Sequence, residues 1–209
     1  MAQKLKDETR TKIIEAAKKE FLEKGYEDAS MRNIAASAGI TVGNIYRYFE
    51  NKEELSKVIL GETNNDITVL LNSLKVTKIS KEPRVFEMRF DPDQISAMME
   101  KLSIGLCDLY FEKKSEFGIL LNDSSASKKL IEWFEHTIRD LLGQAYSMMD
   151  QSEMRDLLSH AFAISIYEGL KDIFRNEFED RENLIVVVRA YLKSFMRMVS
   201  DEYDLRKLY

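Results

Sequence analysis

A chain of 209 residues, 44% of them hydrophobic and 32% charged, is long enough to bury a substantial core and has the balance of an ordinary soluble protein. Its net charge of -5 argues against a nucleic-acid partner only until it is divided: residues 1–60 carry 11 Lys and Arg against 10 Asp and Glu, and the rest carry 20 against 26. Cys107 stands alone, which excludes an intramolecular disulfide. There is no apolar run behind the N-terminal charges to make a signal peptide, and the longest aliphatic run, residues 184–188, is far too short to cross a bilayer. A cytoplasmic protein without a membrane is expected.

In chain order, the spacing of Ile13, Ile14, Ala17 and Phe21 predicts a helix over residues 8–24, ended by Gly25. The arm before it is basic through Lys4, Lys6, Arg10 and Lys12, and is either a phosphate-seeking arm or a frayed terminus. Residues 29–49 then contain no Asp or Glu, although the chain has 36. Ser30 is a good N-cap, Met31, Ile34, Ala35 and Ala38 recur at helical spacing, and Gly39 supplies a left-handed stop. Thr41 caps a second helix with Ile45 and Phe49 on one face, leaving Val42, Asn44, Arg47 and Tyr48 for an outside partner. This is a helix-turn-helix whose second helix is on show. Phosphates repel carboxylates and accept hydrogen bonds from Arg, Tyr, Thr and Asn, so the acid-free stretch is fit for double-stranded DNA.

Thr11, Ile14, Ala17, Phe21, Gly25, Tyr26, Ser30, Ile34, Ala35, Ala38, Gly39, Gly43, Ile45, Tyr46, Tyr48, Phe49, Lys52 and Leu55 resemble, in order and spacing, the DNA-binding domain of TetR-family transcriptional regulators. Tyr48 departs from the family, which often has His there, but keeps a hydroxyl for phosphate. By position in that motif, the resemblance implies that Tyr46, Tyr48 and Lys52 hold the DNA backbone while Thr41, Val42, Asn44 and Arg47 face the groove. Arg32 and Gly43 complete the expected DNA-facing set. It also implies a two-fold homodimer on a pseudo-palindromic operator, and a small-molecule effector.

After the motif, Asn51 and Glu54 make a capping box that starts a fourth helix running to about residue 74. Both prolines, Pro83 and Pro92, fall in residues 76–93, read as a loop with a short element near residues 85–90. Beyond Pro92, helices are expected over residues 92–113, 117–122, 125–148, 152–176 and 180–207, with Asp91, Asp123, Ser124, Asp150 and Asp180 as start signals. The fold class is therefore all-α. A three-helix helix-turn-helix domain, residues 1–52, precedes a helical effector-binding and dimerisation bundle, residues 53–209.

The body offers two further surfaces. Met98, Met99, Leu102, Leu106, Tyr110, Phe117, Trp133, Phe134 and Phe162 suit either a loosely shaped apolar or aromatic ligand or an ordinary core. Glu168 either pairs with a cationic ligand or a partner's Arg, or lies solvated beside Lys171 and Asp172. Residues 161–167 are apolar or small nearly all round, a pattern of burial on every side, and the last helix is apolar over about half its circumference. Ala161, Ser165 and Gly169 form a row of small residues, with Val188, Tyr191 and Phe195 as knobs from the same or a second subunit. A dimer contact is expected there. His136 and His160 have no third ligand, and Cys107 has no nearby base. No metal, cofactor or catalytic residue is expected.

The reading that emerges is a sequence-specific transcriptional regulator, a repressor released by its effector. Its rivals are a DNA-organising protein of low sequence specificity and a helical ligand carrier or enzyme that keeps the head.

Overall fold

The computed structural model describes residues 2–74, 92–122, 124–145 and 152–200, and its regular structure there is entirely α-helical. The elements are α1 (Ala2–Asp28), α2 (Met31–Ser37), α3 (Val42–Ile45), α4 (Lys52–Ser73), α5 (Pro92–Glu112), α6 (Lys114–Asn122), α7 (Ser124–Ala145), α8 (Ser152–Arg175) and α9 (Arg181–Ser200). The short element expected near residues 85–90, the end of the last helix beyond residue 200, and the caps at Asp91, Asp123 and Asp150 lie outside the described residues.

α1 starts earlier than its apolar spacing predicts. Residues 1–24 contain no Gly or Pro, and the Thr9 and Thr11 hydroxyls donate back to the Leu5 and Asp7 carbonyls, so the basic arm is an exposed helical turn. Gly25, at φ 75°, interrupts it where a stop was expected. The N-terminus of α4 also follows its cap: the Asn51 side-chain oxygen accepts from Glu54 N–H at 2.8 Å. The returning bond from Glu54 goes to the Glu50 N–H, one residue before the position a capping box would use. Asp180 caps α9, accepting from the Glu182 and Asn183 N–H groups at 2.8 and 3.1 Å.

The chain forms two compact units. The first comprises residues 1–67 and 112–127, and so joins α6 to the helices of the N-terminal region. Ile13, Ala17 and Phe21 of α1, Ile34 and Ala35 of α2, Ile45 of α3, Leu55 of α4, and Phe117, Ile119 and Leu120 of α6 are nearly inaccessible to solvent. Burying each large apolar side chain is worth about 1.5–3 kcal/mol, which makes this core the chief support of the short helices α2 and α3. Ion pairs edge it: Lys18 of α1 meets Glu116 at 2.7 Å, and Lys113, just before α6, meets Asp66 of α4 at 2.7 Å.

The second unit comprises residues 68–111 and 128–209. Its helices bury stripes at spacings of three and four: Met98, Met99, Leu102 and Leu106 on α5, Leu130, Phe134 and Ile138 on α7, Ile166, Leu170 and Phe174 on α8, and Leu184, Val188 and Leu192 on α9. Gly105 admits Leu70 closely, since a Cβ there would lie 2.5 Å from a Leu70 methyl. Arg181 pairs with Asp108, and Arg189 with Glu100 at 2.7 Å, tying α9 to α5.

Candidate nucleic-acid interface

Two hydroxyl caps and one glycine set the helix-turn-helix. The Ser30 hydroxyl accepts from Asn33 N–H at 3.2 Å and begins α2; the Thr41 hydroxyl accepts from Asn44 N–H at 3.2 Å and begins α3. Between them Gly39 turns the chain at φ 71°, a conformation that strains any residue with a Cβ. α3 itself is one turn long, shorter than expected. After Ile45 the bonds tighten to the i→i+3 kind, with Arg47 N–H donating to the Asn44 carbonyl at 3.1 Å and Tyr48 N–H to the Ile45 carbonyl at 3.0 Å.

That turn is anchored by Ile45 at 0% exposure and Phe49 at 1%. Its other side chains are left outside: Thr41, Val42, Gly43, Tyr46 and Arg47 are exposed, and Asn44 and Tyr48 are half-buried. Thr41, Gly43, Asn44 and Arg47 line an open concavity of about 560 Å³ with Gly39 and Ile40. Arg32 is exposed on α2. The surface thus offers hydroxyl, amide and guanidinium donors, one apolar patch at Val42, and no carboxylate from residues 29–49.

Glu20 supports this surface from α1, a role that no sequence pattern marks. It is 7% exposed, and its carboxylate accepts from the Asn33 amide at 2.9 Å and from Lys24 at 3.1 Å. Burial pushes its carboxyl up, but the hydrogen bonds from Asn33 and Lys24 and the Lys24 charge outweigh it and hold the group below the usual carboxylate range. Arg10 lies over the Phe49 ring, 5.2 Å from its centre. Lys52, expected on the DNA backbone, donates within the chain to the carbonyls of Tyr26, Glu27 and Ala29 at 2.5, 2.9 and 3.0 Å.

The expected effector set divides. Met98, Met99, Leu102, Leu106, Tyr110 and Phe134 are buried in the second unit, and Trp133 and Phe162 are half-buried there. Phe117 belongs to the core of the first unit. Glu168 is exposed in the single chain, where the apolar run before it does not continue around the helix to cover it.

The small-residue row divides too. Tyr191 of the same chain covers Gly169, and its hydroxyl donates to the Ser165 carbonyl at 2.8 Å. Ala161 and Ser165 are exposed, as is Ile164, so residues 161–167 are not buried on every side within one chain. Val188 is fully inside its own chain's core, and Phe195 is half-buried. The apolar side chains that face out on α8 and α9 include Leu157 at 69%, Val186 at 57% and Val187 at 38%; the wide apolar arc of the last helix was the sequence signal for the two valines, and no pattern marked Leu157.

Burial pushes the Cys107 thiol up to about 12, assisted by the Asp108 charge, which leaves almost no thiolate at neutral pH. Among the described residues no three His, Cys, Asp or Glu side chains gather into a metal site, and no helix is long and apolar enough to cross a membrane.

Residues 13–59 match the family model described as bacterial regulatory proteins, tetR family. The HTH-type transcriptional regulator SrpR of Pseudomonas putida is 21% identical over 93% of this chain and 87% of its own. The HTH-type transcriptional regulator TtgR, also of Pseudomonas putida, is 45% identical over 53 residues, a quarter of each chain (25% and 25%). Among solved structures, a TetR-like transcriptional regulator from Rhodococcus sp. RHA1 aligns with a TM-score of 0.54 at 15% identity, covering 93% of this chain and 97% of that one. A TetR-family transcriptional regulator from Bordetella parapertussis 12822 aligns with the same TM-score, 0.54, at 18% identity over 93% and 95%. At such identities these two alignments speak for the fold, and the matched 13–59 segment speaks for the head.

Proposed function

Because the chain belongs to the TetR family of bacterial transcriptional regulators, we propose that it is a cytoplasmic repressor that binds a pseudo-palindromic operator as a homodimer and is released by a small apolar or aromatic effector. The observation that carries the DNA reading is the outward, acid-free face made by Thr41, Val42, Gly43, Asn44, Tyr46 and Arg47. In this reading Asn44 and Arg47 contact base edges, Val42 meets a thymine methyl, and Tyr46, Tyr48 and Arg32 hold phosphates. Two such faces, related by a two-fold axis, enter major grooves about 34–36 Å apart.

Residues 1–52 serve DNA binding and residues 53–209 serve effector binding and dimerisation. The effector enters among Met98, Met99, Leu102, Leu106, Tyr110, Trp133, Phe134 and Phe162, whose pliable and aromatic side chains tolerate varied apolar shapes. α4 contributes residues to both units, so a shift in the second can reach the head through one continuous helix, with a coupling of about 1–3 kcal/mol. The dimer seam runs along the outward faces of α8 and α9, where Ala161, Ser165, Leu157, Val186 and Val187 are exposed.

Sequencing the genomic fragments selected by the purified protein tests the reading. One recurrent two-fold motif with a discrete footprint is expected. Fragments of unrelated sequence would mean a DNA-organising protein, and no enrichment at all would defeat DNA binding.

A further inference from the structure

Gly25 breaks α1, and the backbone that follows it leads to α2 through Ala29 and Ser30. The Lys52 ammonium, at the first residue of α4, meets three carbonyls of that connection: Tyr26 at 2.5 Å, Glu27 at 2.9 Å and Ala29 at 3.0 Å. An ammonium has three N–H donors and no more. The Tyr26 ring lies 4.6 Å from the same nitrogen, so the charge also rests on an aromatic face.

The topology gives this contact a consequence. Residues 30–51 hold both α2 and α3; Ala29 stands just before that segment and Lys52 just after it. The ammonium therefore joins the two ends of the segment that carries the DNA-facing surface. α3 is one turn long and anchored chiefly by Ile45 and Phe49, so its aim depends on how that loop is closed.

We propose that Lys52 is a positioning residue, a clasp that closes the helix-turn-helix and fixes the aim of α3, instead of the phosphate contact its place in the motif implies. The inference rests on the DNA-binding reading above. A point ammonium with rotating donors can meet three carbonyls converging on one centre. A planar guanidinium has the charge but a fixed fork, and a neutral amide has two donors.

Lys52→Arg and Lys52→Gln separate the two roles, each assayed for operator affinity across a salt series, with circular dichroism and sedimentation to establish that the variant is folded and assembled. A clasp predicts that both variants lose roughly tenfold in operator affinity while the slope of log affinity against log salt stays that of the wild type. A phosphate contact predicts a slope lower by about 1 in Lys52→Gln and restored in Lys52→Arg, and that result would overturn the clasp. Wild-type affinity in both variants would also overturn it.

Should either variant fail to fold, the wild type decides by NMR. The Lys52 ammonium resonance, with couplings to the three carbonyls, is expected to be unchanged when operator is added; its transfer to phosphate on binding would end the proposal. A wild-type protein that selects no DNA defeats the parent reading before any variant is measured, so the two failures are distinct.

Discussion

Tyr191 of α9 lies so closely over Gly169 of α8 that a Cβ on the glycine would sit 1.9 Å from the phenolic oxygen, which itself donates to the Ser165 carbonyl at 2.8 Å. Only hydrogen at position 169 permits that approach. Gly169→Ala is therefore expected to expel the tyrosine, break its hydrogen bond and cost about 1–3 kcal/mol. In a Tyr191→Ala background the same change should be nearly neutral. Urea unfolding of the four proteins measures the coupling, and additive costs would show that the ring is not what Gly169 accommodates.

Four residues before Gly169, Ser165 is exposed in the single chain. Ser165→Arg should consequently leave each protomer folded, because the arginine has solvent to enter, while a charge without a partner enters the proposed seam between subunits. The expected result is a helical monomer by sedimentation and circular dichroism that has lost operator binding. A stable dimer with full affinity would remove Ser165 from the seam.

The two kinds of DNA contact should separate in a binding-site selection. Arg47→Ala is expected to cost about 1–3 kcal/mol on the operator and to relax preference at one base position, because a base-edge contact is lost. Tyr46→Phe removes a hydroxyl that is 51% exposed with its residue and should weaken all sequences about equally. The assignments are exchanged if Tyr46→Phe alters base preference and Arg47→Ala does not.

Acid should loosen the first unit through Glu20. Its carboxyl is held below the ordinary range in the folded protein, so its contribution is present above the unfolded value of about 4.3 and is lost as pH falls through the lower folded value. Chemical denaturation from about pH 6 down to about pH 3 should show that loss in the wild type. Glu20→Gln keeps the Asn33 hydrogen bond without the charge, so its stability should be lower at neutral pH and fall less steeply. Parallel curves for the two proteins would assign the acid sensitivity elsewhere.

The parts legible in the sequence are those whose causes are local. Ser30 and Thr41 cap helices with their own hydroxyls, Gly25 and Gly39 turn the chain because they lack a Cβ, and the absence of acid from residues 29–49 is a property of the string itself. The long helices followed from apolar spacing and sparse glycine and proline: the starts of α4, α5, α7, α8 and α9 fell within a residue of expectation, while α1 began six residues early. Tertiary packing decided what periodicity leaves open. A wide apolar arc does not say which part meets its own core, and the fold chose Val188 for the inside and Val186 and Val187 for the outside. Nor does spacing say which helix a short piece joins: α6 went to α1, with Lys18 beside Glu116 and Leu22 against Gly118. Lys52 shows the limit most clearly. Its charge and place in the motif were visible in the string, but its ammonium donates to three carbonyls from a connection more than twenty residues earlier, because only a folded chain brings those carbonyls and a distant ammonium to one point.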